Sequence, residues 1–190
     1  MTPHRIVRSF LILLLLAAPP TAMARTLEGV ELPDTLERGG ELLHLNGAGI
    51  REKFFFDIYL AALYLPEPQT DAQAILAANP PWRLRMHFLY RKVGQDKLAD
   101  GWEAGFAANL TAQELAGLRA RLDHFKSLFP TLHKGDEVIL DHFPGQGVSV
   151  TIRGQTLGRI QGDDFARALL SVWLGPEPVT QELKRALLTH

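Results

Sequence analysis

Residues 46–65, NGAGIREKFFFDIYLAALYL, decide the fold. From Lys53 onward this stretch is dense in aromatic and aliphatic side chains and is closed by prolines, which predicts a long strand ending at Leu65. Glu52 and Lys53 are predicted to form the hairpin turn that leads into this strand. So apolar a run favours a strand inside a sheet over an edge strand with water on both faces.

The segments on either side of this stretch form blocks of strands and blocks of helices. Short strands are predicted before it, over residues 27–32 and 41–45. The elements predicted after it are a helix at 71–79, a strand at 82–91, helices at 96–109 and 111–129, strands at 137–143, 147–153 and 156–160, and helices at 163–174 and 180–188. This grouping predicts an α+β fold in which helices cover one face of a large antiparallel sheet.

The N-terminus has the three parts of a secretory signal peptide. A basic head precedes an apolar run over residues 9–18, and small residues follow at the positions that a signal peptidase reads. A membrane anchor is the alternative, but the run has only about half of the ~20 residues that a spanning helix needs. We therefore expect residues 1–24 to be cleaved between Ala24 and Arg25. One domain, residues 25–190, would remain in the periplasm or outside the cell, without a transmembrane segment.

The composition excludes several classes of function. Two of the 20 basic side chains lie in residues 1–24, which leaves 18 against 21 acidic ones, a net charge near −3. Because no basic stripe is present, nucleic acid is not an expected partner. The chain has no cysteine, which excludes disulfides, thiolate metal sites and cysteine nucleophiles. We expect no cofactor.

Histidine and serine do not form a recognisable catalytic or metal-binding motif. The seven histidines include no HExxH motif and no i, i+4 pair on a predicted helix, so they are interpreted as surface residues. His133 and His142 flank a strand start and are the pair that could approach one another. Ser127, Ser149 and Ser171 lie outside any Gly-x-Ser-x-Gly elbow. Neither a bound metal nor serine hydrolase activity is expected.

Arg51 is the strongest candidate for a functional side chain. It follows Gly47 and Gly49, which allow the backbone to bend or to lie close to a neighbouring element. Its guanidinium is a fixed fork of donors that holds a carboxylate or a developing enolate more strongly in a dry pocket than in water. Tyr59 or Tyr64 could add a phenolic donor from the strand. The alternative is an ordinary exposed arginine beside a hairpin.

Residues 47–51 and the strand end at residues 61–65 resemble the chalcone isomerase superfamily, and more closely its exported bacterial chalcone isomerase-like proteins. The resemblance continues through residues 135–138, the turn at 143–148 and the helices after Phe165. It covers nearly the whole chain after the signal peptide. It implies the chalcone isomerase-like fold, a large antiparallel sheet covered by helices on one face.

The resemblance also implies candidate site residues. In the plant enzymes of that superfamily, an arginine after a Gly-x-Gly steadies the enolate as a chalcone cyclises, and Arg51 matches it. Tyr59 stands where those enzymes have a threonine, and Gly94 stands where they have a further tyrosine. Lys97 matches a lysine of the same segment, and Ser171 and Val172 fall at positions that line the cleft.

The resemblance implies three possible functions. Other members of the superfamily bind fatty acids and hold the carboxylate with the arginine and a tyrosine. Arg51 with Tyr59 suits that use, so the first hypothesis is an exported protein that binds a small apolar acid such as a fatty acid. The alternatives are an intramolecular lyase or isomerase acting on an enone, and an envelope interaction module without a ligand. A cleft filled by the chain's own aromatic side chains would favour the last.

Overall fold

A computed structural model describes residues 24–189 of the chain, so the predicted signal peptide lies outside the described residues except for Ala24. The strands are β1 (Ala24–Leu27), β2 (Val30–Pro33), β3 (Thr35–Arg38), β4 (Glu41–Lys53), β5 (Phe56–Leu65), β6 (Trp82–Phe88), β7 (Lys92–Val93), β8 (Leu132–His133), β9 (Glu137–Phe143), β10 (Gly147–Ile152) and β11 (Gln155–Ile160). The helices are α1 (Ala72–Ala78), α2 (Gln95–Asn109), α3 (Ala112–Ser127), α4 (Asp163–Leu174) and α5 (Gln181–Leu187).

The main sheet has seven strands in the order β11-β10-β9-β6-β5-β4-β3. Every neighbouring pair in it is antiparallel. The strands β1 and β2 form a separate hairpin, and β7 pairs with β8. The predicted α+β fold with a large antiparallel sheet is confirmed.

The two faces of the main sheet are covered by different elements. On one face, Tyr59, Ala61 and Leu63 of β5 join the main core beneath α2, α3 and α4, and most side chains of α4 are buried there. On the other face, Leu60 and Tyr64 pack with apolar residues of β2 and β4. Because successive strand residues point to opposite faces, β5 is buried on both sides. The predicted helical layer is confirmed, and the hairpin β1–β2 covers part of the second face.

The glycine-rich segment lies inside β4, which runs without interruption from Glu41 to Lys53. The predicted end of a strand at Leu45 is therefore wrong. Helix α5 packs directly against the glycines: a Cβ on Gly49 would lie 2.5 Å from the Cβ of Ala186, and one on Gly47 would meet the backbone of Leu187 at 2.7 Å. The structure supports both interpretations of these glycines: the pairing of β4 with β5 shifts register between Leu45 and Gly47, and α5 lies close to both glycines.

The turn between β4 and β5 is Phe54-Phe55, and Lys53 opposes Phe56 in the ladder. The predicted turn at Glu52-Lys53 is therefore wrong. Phe54, Phe55 and Phe56 are all exposed, because the hairpin extends beyond the helical layer that covers the rest of the sheet. Their apolarity is not a sign of burial.

Two further expectations differ from the structure. Strand β6 ends at Phe88 instead of residue 91, because the next residues leave the main sheet and form β7. His142 is not a surface residue: it is fully buried, its Nδ1 lies 3.0 Å from the carbonyl oxygen of Gly147, and its ring lies 5.5 Å from that of Trp82. Within residues 24–189 no helix is both long enough and apolar enough to cross a bilayer. In the same residues, no three His, Asp or Glu side chains are grouped as metal ligands would be.

Candidate ligand-binding site

A row of three side chains crosses the helix-covered face at one end of the sheet. Arg51 of β4 is directly opposite Tyr59 of β5, and Tyr59 is directly opposite Phe88 of β6. Opposed residues of antiparallel strands point to the same face and lie close together. The guanidinium carbon of Arg51 is therefore 5.6 Å from the centre of the Tyr59 ring, and the rings of Tyr59 and Phe88 are also 5.6 Å apart.

Helix α2 lies over this row and borders a partly open cavity of about 60 Å³. The walls are mostly apolar; they are formed by Arg51, Ile58, Tyr59, Met86, Phe88, Val93, Lys97, Leu98, Gly101, Trp102, Val172 and Val179. An open groove of about 580 Å³ adjoins the cavity and shares Arg51 and Lys97 with it. Arg51 thus lies where the groove meets the cavity.

Arg51 has no acidic partner among residues 24–189. Its side chain makes no ion pair within 4.0 Å, and its Nε is buried without a hydrogen-bond partner in that part of the chain. Other arginines of the sheet are paired: Arg83 donates two hydrogen bonds to Asp141 at 2.6 and 2.9 Å. A desolvated donor without a partner is costly, and an anionic ligand at Arg51 would remove that cost.

The charges that line the open groove are mostly positive. Its cations are Arg51, Lys53, Lys92 and Lys97, and its acids are Asp100 and Glu177. Clefts lined by one sign of charge raise the local concentration of ions of the opposite sign. The groove therefore favours an anion over a cation.

Tyr59 supplies a neutral hydroxyl group at the wall of the cavity. The residue is 4% exposed, and its hydroxyl oxygen accepts a hydrogen bond of 3.0 Å from Nε1 of Trp173. Burial raises the pKa of Tyr59 above its ordinary value of 10.0, and the positive charge of Arg51 opposes this shift only in part. The hydroxyl group therefore stays protonated at neutral pH, and its proton can be donated to a ligand oxygen.

The structure brings Arg51, Tyr59, Lys97 and Val172 together around the cavity. The ammonium group of Lys97 lies in solvent, 3.5 Å from the Asp100 carboxylate, so only its stem lines the cavity. Ser171 does not line the cavity: its hydroxyl donates to the carbonyl oxygen of Ala168 at 2.7 Å, within α4. Adjacent residues of a helix with 3.6 residues per turn point in directions about 100° apart, so Ser171 and Val172 cannot both face the same cleft.

Several residues that line the cavity were not predicted as site residues. The sequence does indicate that Phe88 and Trp102 are buried, because each lies on the apolar side of a periodic pattern. It contains no such indication for Ile58 and Val179. Trp173 of α4 donates a hydrogen bond to the hydroxyl group of Tyr59. Gly94, where the resemblance expects a tyrosine, borders the open groove without a side chain.

Aromatic side chains fill much of the cleft. The remaining cavity of about 60 Å³ is smaller than the ~150 Å³ cavity that holds benzene in a protein core. It therefore has room for a few carbon atoms, while the adjoining groove is open. The cleft is narrowed by its own aromatics but is not closed.

Two comparisons with known proteins found matches, one to a family and one to solved structures. A family model described as chalcone isomerase-like matches residues 24–189. No curated protein matches the chain by sequence. Among solved structures 38 chains match, and one is the crystal structure of a fatty-acid binding protein from Arabidopsis thaliana. It has a TM-score of 0.70 at 16% identity, with 87% of this chain and 96% of that chain covered. At this identity the likeness shows a shared fold.

Proposed function

Because the chain belongs to the chalcone isomerase-like family, we propose that it binds a small apolar acid of the fatty-acid class at the site around Arg51. The acid group bonds to the Arg51 guanidinium and accepts a hydrogen bond from the Tyr59 hydroxyl. The apolar part occupies the cavity beneath α2. The similar fold of a protein described as fatty-acid binding supports this ligand class.

The observation that carries the proposal is the unpaired state of Arg51. A partly buried guanidinium whose Nε has no partner within residues 24–189 is a costly feature for the empty protein. The same group bonds a carboxylate strongly, since charge-assisted hydrogen bonds are about twice as strong as neutral ones. The acid end of a ligand would therefore supply the partner that Arg51 lacks within residues 24–189.

The volume of the cavity limits the ligand. About 60 Å³ accepts the end of a short chain, and a longer chain must lie in the open groove or displace Trp102 or Leu98. We expect acetate and butyrate to bind without rearrangement, and the chain of octanoate to extend into the open groove. Palmitate should bind only if its chain runs outward along the groove.

Isothermal titration calorimetry with acetate, butyrate, octanoate and palmitate tests the proposal. Arg51→Met should weaken octanoate binding about 30-fold, because a hydrogen-bonded charge contributes ~2 kcal/mol. Arg159→Met is the matched control: the same replacement at an exposed residue of β11 should leave the affinity unchanged. Equal affinities in the Arg51 and Arg159 variants would contradict the proposed site.

Two further variants separate the acid site from the apolar site. Tyr59→Phe should weaken all the acids by a similar factor of about 10 or more, since it removes one hydrogen bond to a charged group. Trp102→Ala should shift the preference toward longer acids, because it enlarges the cavity. The bound acid should be recovered unchanged, whereas turnover of a chalcone-type enone at Arg51 would favour the lyase alternative.

We also propose that the protein is exported and that residues 1–24 are removed. The apolar run at residues 9–18 supports this, as does the start of the family match at residue 24, next to the expected cleavage site. N-terminal sequencing of the protein from the envelope of an expressing bacterium should begin at Arg25. An uncleaved chain that remains in the cytoplasm would contradict the proposal.

A further inference from the structure

The turn between β4 and β5 carries an exposed aromatic surface. We call Phe54, Phe55, Phe56 and Tyr90 the aromatic tip; their exposed fractions are 82%, 98%, 55% and 36%. The other large hydrophobic side chain that is exposed in the described part of the chain is Leu42. Exposed apolar groups that cluster in one place mark interaction sites, whereas single ones are ordinary.

The backbone of this turn does not account for its aromatic residues. Phe54 has a φ of +57°, a conformation that bulky residues rarely adopt. Two-residue hairpin turns with a positive φ at the first position normally have glycine there. The phenylalanine is unfavourable for the turn itself, which indicates that its side chain serves another purpose. Phe56 and Tyr90 pack edge to face at 5.4 Å, so this part of the tip is preformed.

Positive charges flank the aromatic tip on both sides. Lys53 precedes Phe54, Arg91 and Lys92 follow Tyr90, and the backbone of Lys134 bonds to the carbonyl oxygen of Arg91. The exposed acids next to the tip are Glu52 and Asp57. Cations thus exceed acids here, although the whole chain has a net charge of −1.

From this surface we propose that the aromatic tip docks on a lipid bilayer with anionic head groups. Aromatic side chains partition to the head-group level, and nearby lysines and arginines are attracted to anionic lipids. Lys53, Tyr90 and Lys92 also line the open groove, so the groove opens beside the surface that meets the bilayer. An apolar acid could then pass between the bilayer and Arg51 with little exposure to water. The docking itself does not depend on the proposed ligand.

Co-sedimentation with lipid vesicles tests the docking. The protein should span residues 24–190, which include all the core described above and omit the apolar run at residues 9–18. We expect it to bind vesicles of phosphatidylglycerol mixed with phosphatidylcholine, and to bind more weakly to pure phosphatidylcholine or in high salt. The double variant Phe54→Ser/Phe55→Ser should bind at least about tenfold more weakly. The matched control is Leu42→Ser, which removes an exposed apolar side chain near the opposite end of β4 and should bind as the unchanged protein does.

A fluorescent variant locates the contact. Phe55→Trp should show a blue-shifted emission on vesicles and quenching by brominated lipids, whereas Leu42→Trp should show neither. Unchanged vesicle binding by the double serine variant would overturn the proposal. So would a concentration-dependent dimer that needs the same phenylalanines and binds no vesicles, since a second copy would then be the partner.

The ligand assay separates this proposal from the proposed function. The double serine variant should keep its affinity for octanoate in solution, and its unfolding midpoint shows whether it has folded. Arg51→Met should bind vesicles normally while losing octanoate. If the unchanged protein bound vesicles but not octanoate, the proposed function would be contradicted and the docking would not. If the double serine variant bound vesicles as well as the Leu42→Ser control does, the docking would be contradicted.

Discussion

Replacing Arg51 by methionine should stabilise the protein, although it removes the residue proposed to hold the ligand. The Nε of Arg51 is buried and has no hydrogen-bond partner in the described part of the chain, a cost of about 1–3 kcal/mol. Methionine keeps an unbranched apolar stem against Tyr59 but loses the guanidinium contact with the ring at 5.6 Å, worth ~0.5–1 kcal/mol. The free energy of unfolding should therefore rise by about 1 kcal/mol.

The same substitution at Arg83 should have the opposite effect. Arg83 donates two hydrogen bonds to Asp141, whose side chain is 3% exposed. Removal of one partner of a buried ion pair costs ~3–5 kcal/mol. Arg38 still donates one bond of 3.1 Å to Asp141, so the loss should be near the lower end, about 3 kcal/mol. The two variants should change the free energy of unfolding in opposite directions, because Arg83 has an acidic partner within the described residues and Arg51 does not.

Urea unfolding followed by tryptophan fluorescence measures both changes. For a domain of this length 1 kcal/mol corresponds to about 2–4 °C in Tm, so thermal unfolding gives an independent check. Octanoate should raise the Tm of the unchanged protein and not that of Arg51→Met. A loss of more than about 1 kcal/mol in Arg51→Met would refute the reasoning, because Arg51 would then be a structural residue.

Three other variants test separate parts of the structure. Two hydrogen bonds from Arg153 hold the pKa of Asp136 at about 2, below its ordinary 3.8. The stability that the ionised Asp136 contributes is present above pH 3.8 and is lost as the pH falls through about 2. Urea unfolding of Asp136→Asn should therefore show a fall in the free energy of unfolding at acid pH that is smaller by ~2 kcal/mol than in the unchanged protein. Gly49→Ala should lower the free energy of unfolding by about 2 kcal/mol because the new Cβ meets Ala186 at 2.5 Å. Adding Ala186→Gly should restore part of this free energy. No restoration would show that this contact is not the cause of the loss. Phe54→Gly should raise the Tm, since a positive φ costs glycine about 1 kcal/mol less than it costs phenylalanine. An unchanged or lower Tm would mean that the phenylalanine ring stabilises the turn.

Much of the fold could be predicted because its signals are local. The alternating pattern of β6 and the capping box at Thr111 both appear in the structure, where the Thr111 hydroxyl accepts a hydrogen bond of 3.3 Å from the backbone N–H of Glu114. The position of the hairpin turn could not be predicted. The aromatic run that includes Phe55 predicts a strand inside a sheet, and β5 is one, but local sequence does not reveal where a strand pair leaves the body of the protein.

The candidate site could be predicted where it depends on strand pairing. Arg51 and Tyr59 were paired as candidates, and the ladder places them opposite one another. Ser171 and Val172 are candidates only through the resemblance, and the rotation of α4 sends their two side chains to different pockets. Val179 could not be found, because the segment before α5 is placed by a backbone hydrogen bond from Val179 to the carbonyl oxygen of Val172 in α4, which has no local signature. What these residues bind stays a prediction.

The contact between α5 and β4 has a consequence for the order of folding. The side-chain amide of Asn46 donates hydrogen bonds to the carbonyl oxygens of Leu187 and Gln69, and the first of these joins positions 141 residues apart. Synthesis proceeds from the N-terminus, and contacts this distant form late. The glycine face of β4 must remain uncovered until α5, which follows all the strands of the sheet in the chain, can fold onto it. A chain that stops before α5 therefore keeps an open flank that chaperones and proteases can recognise.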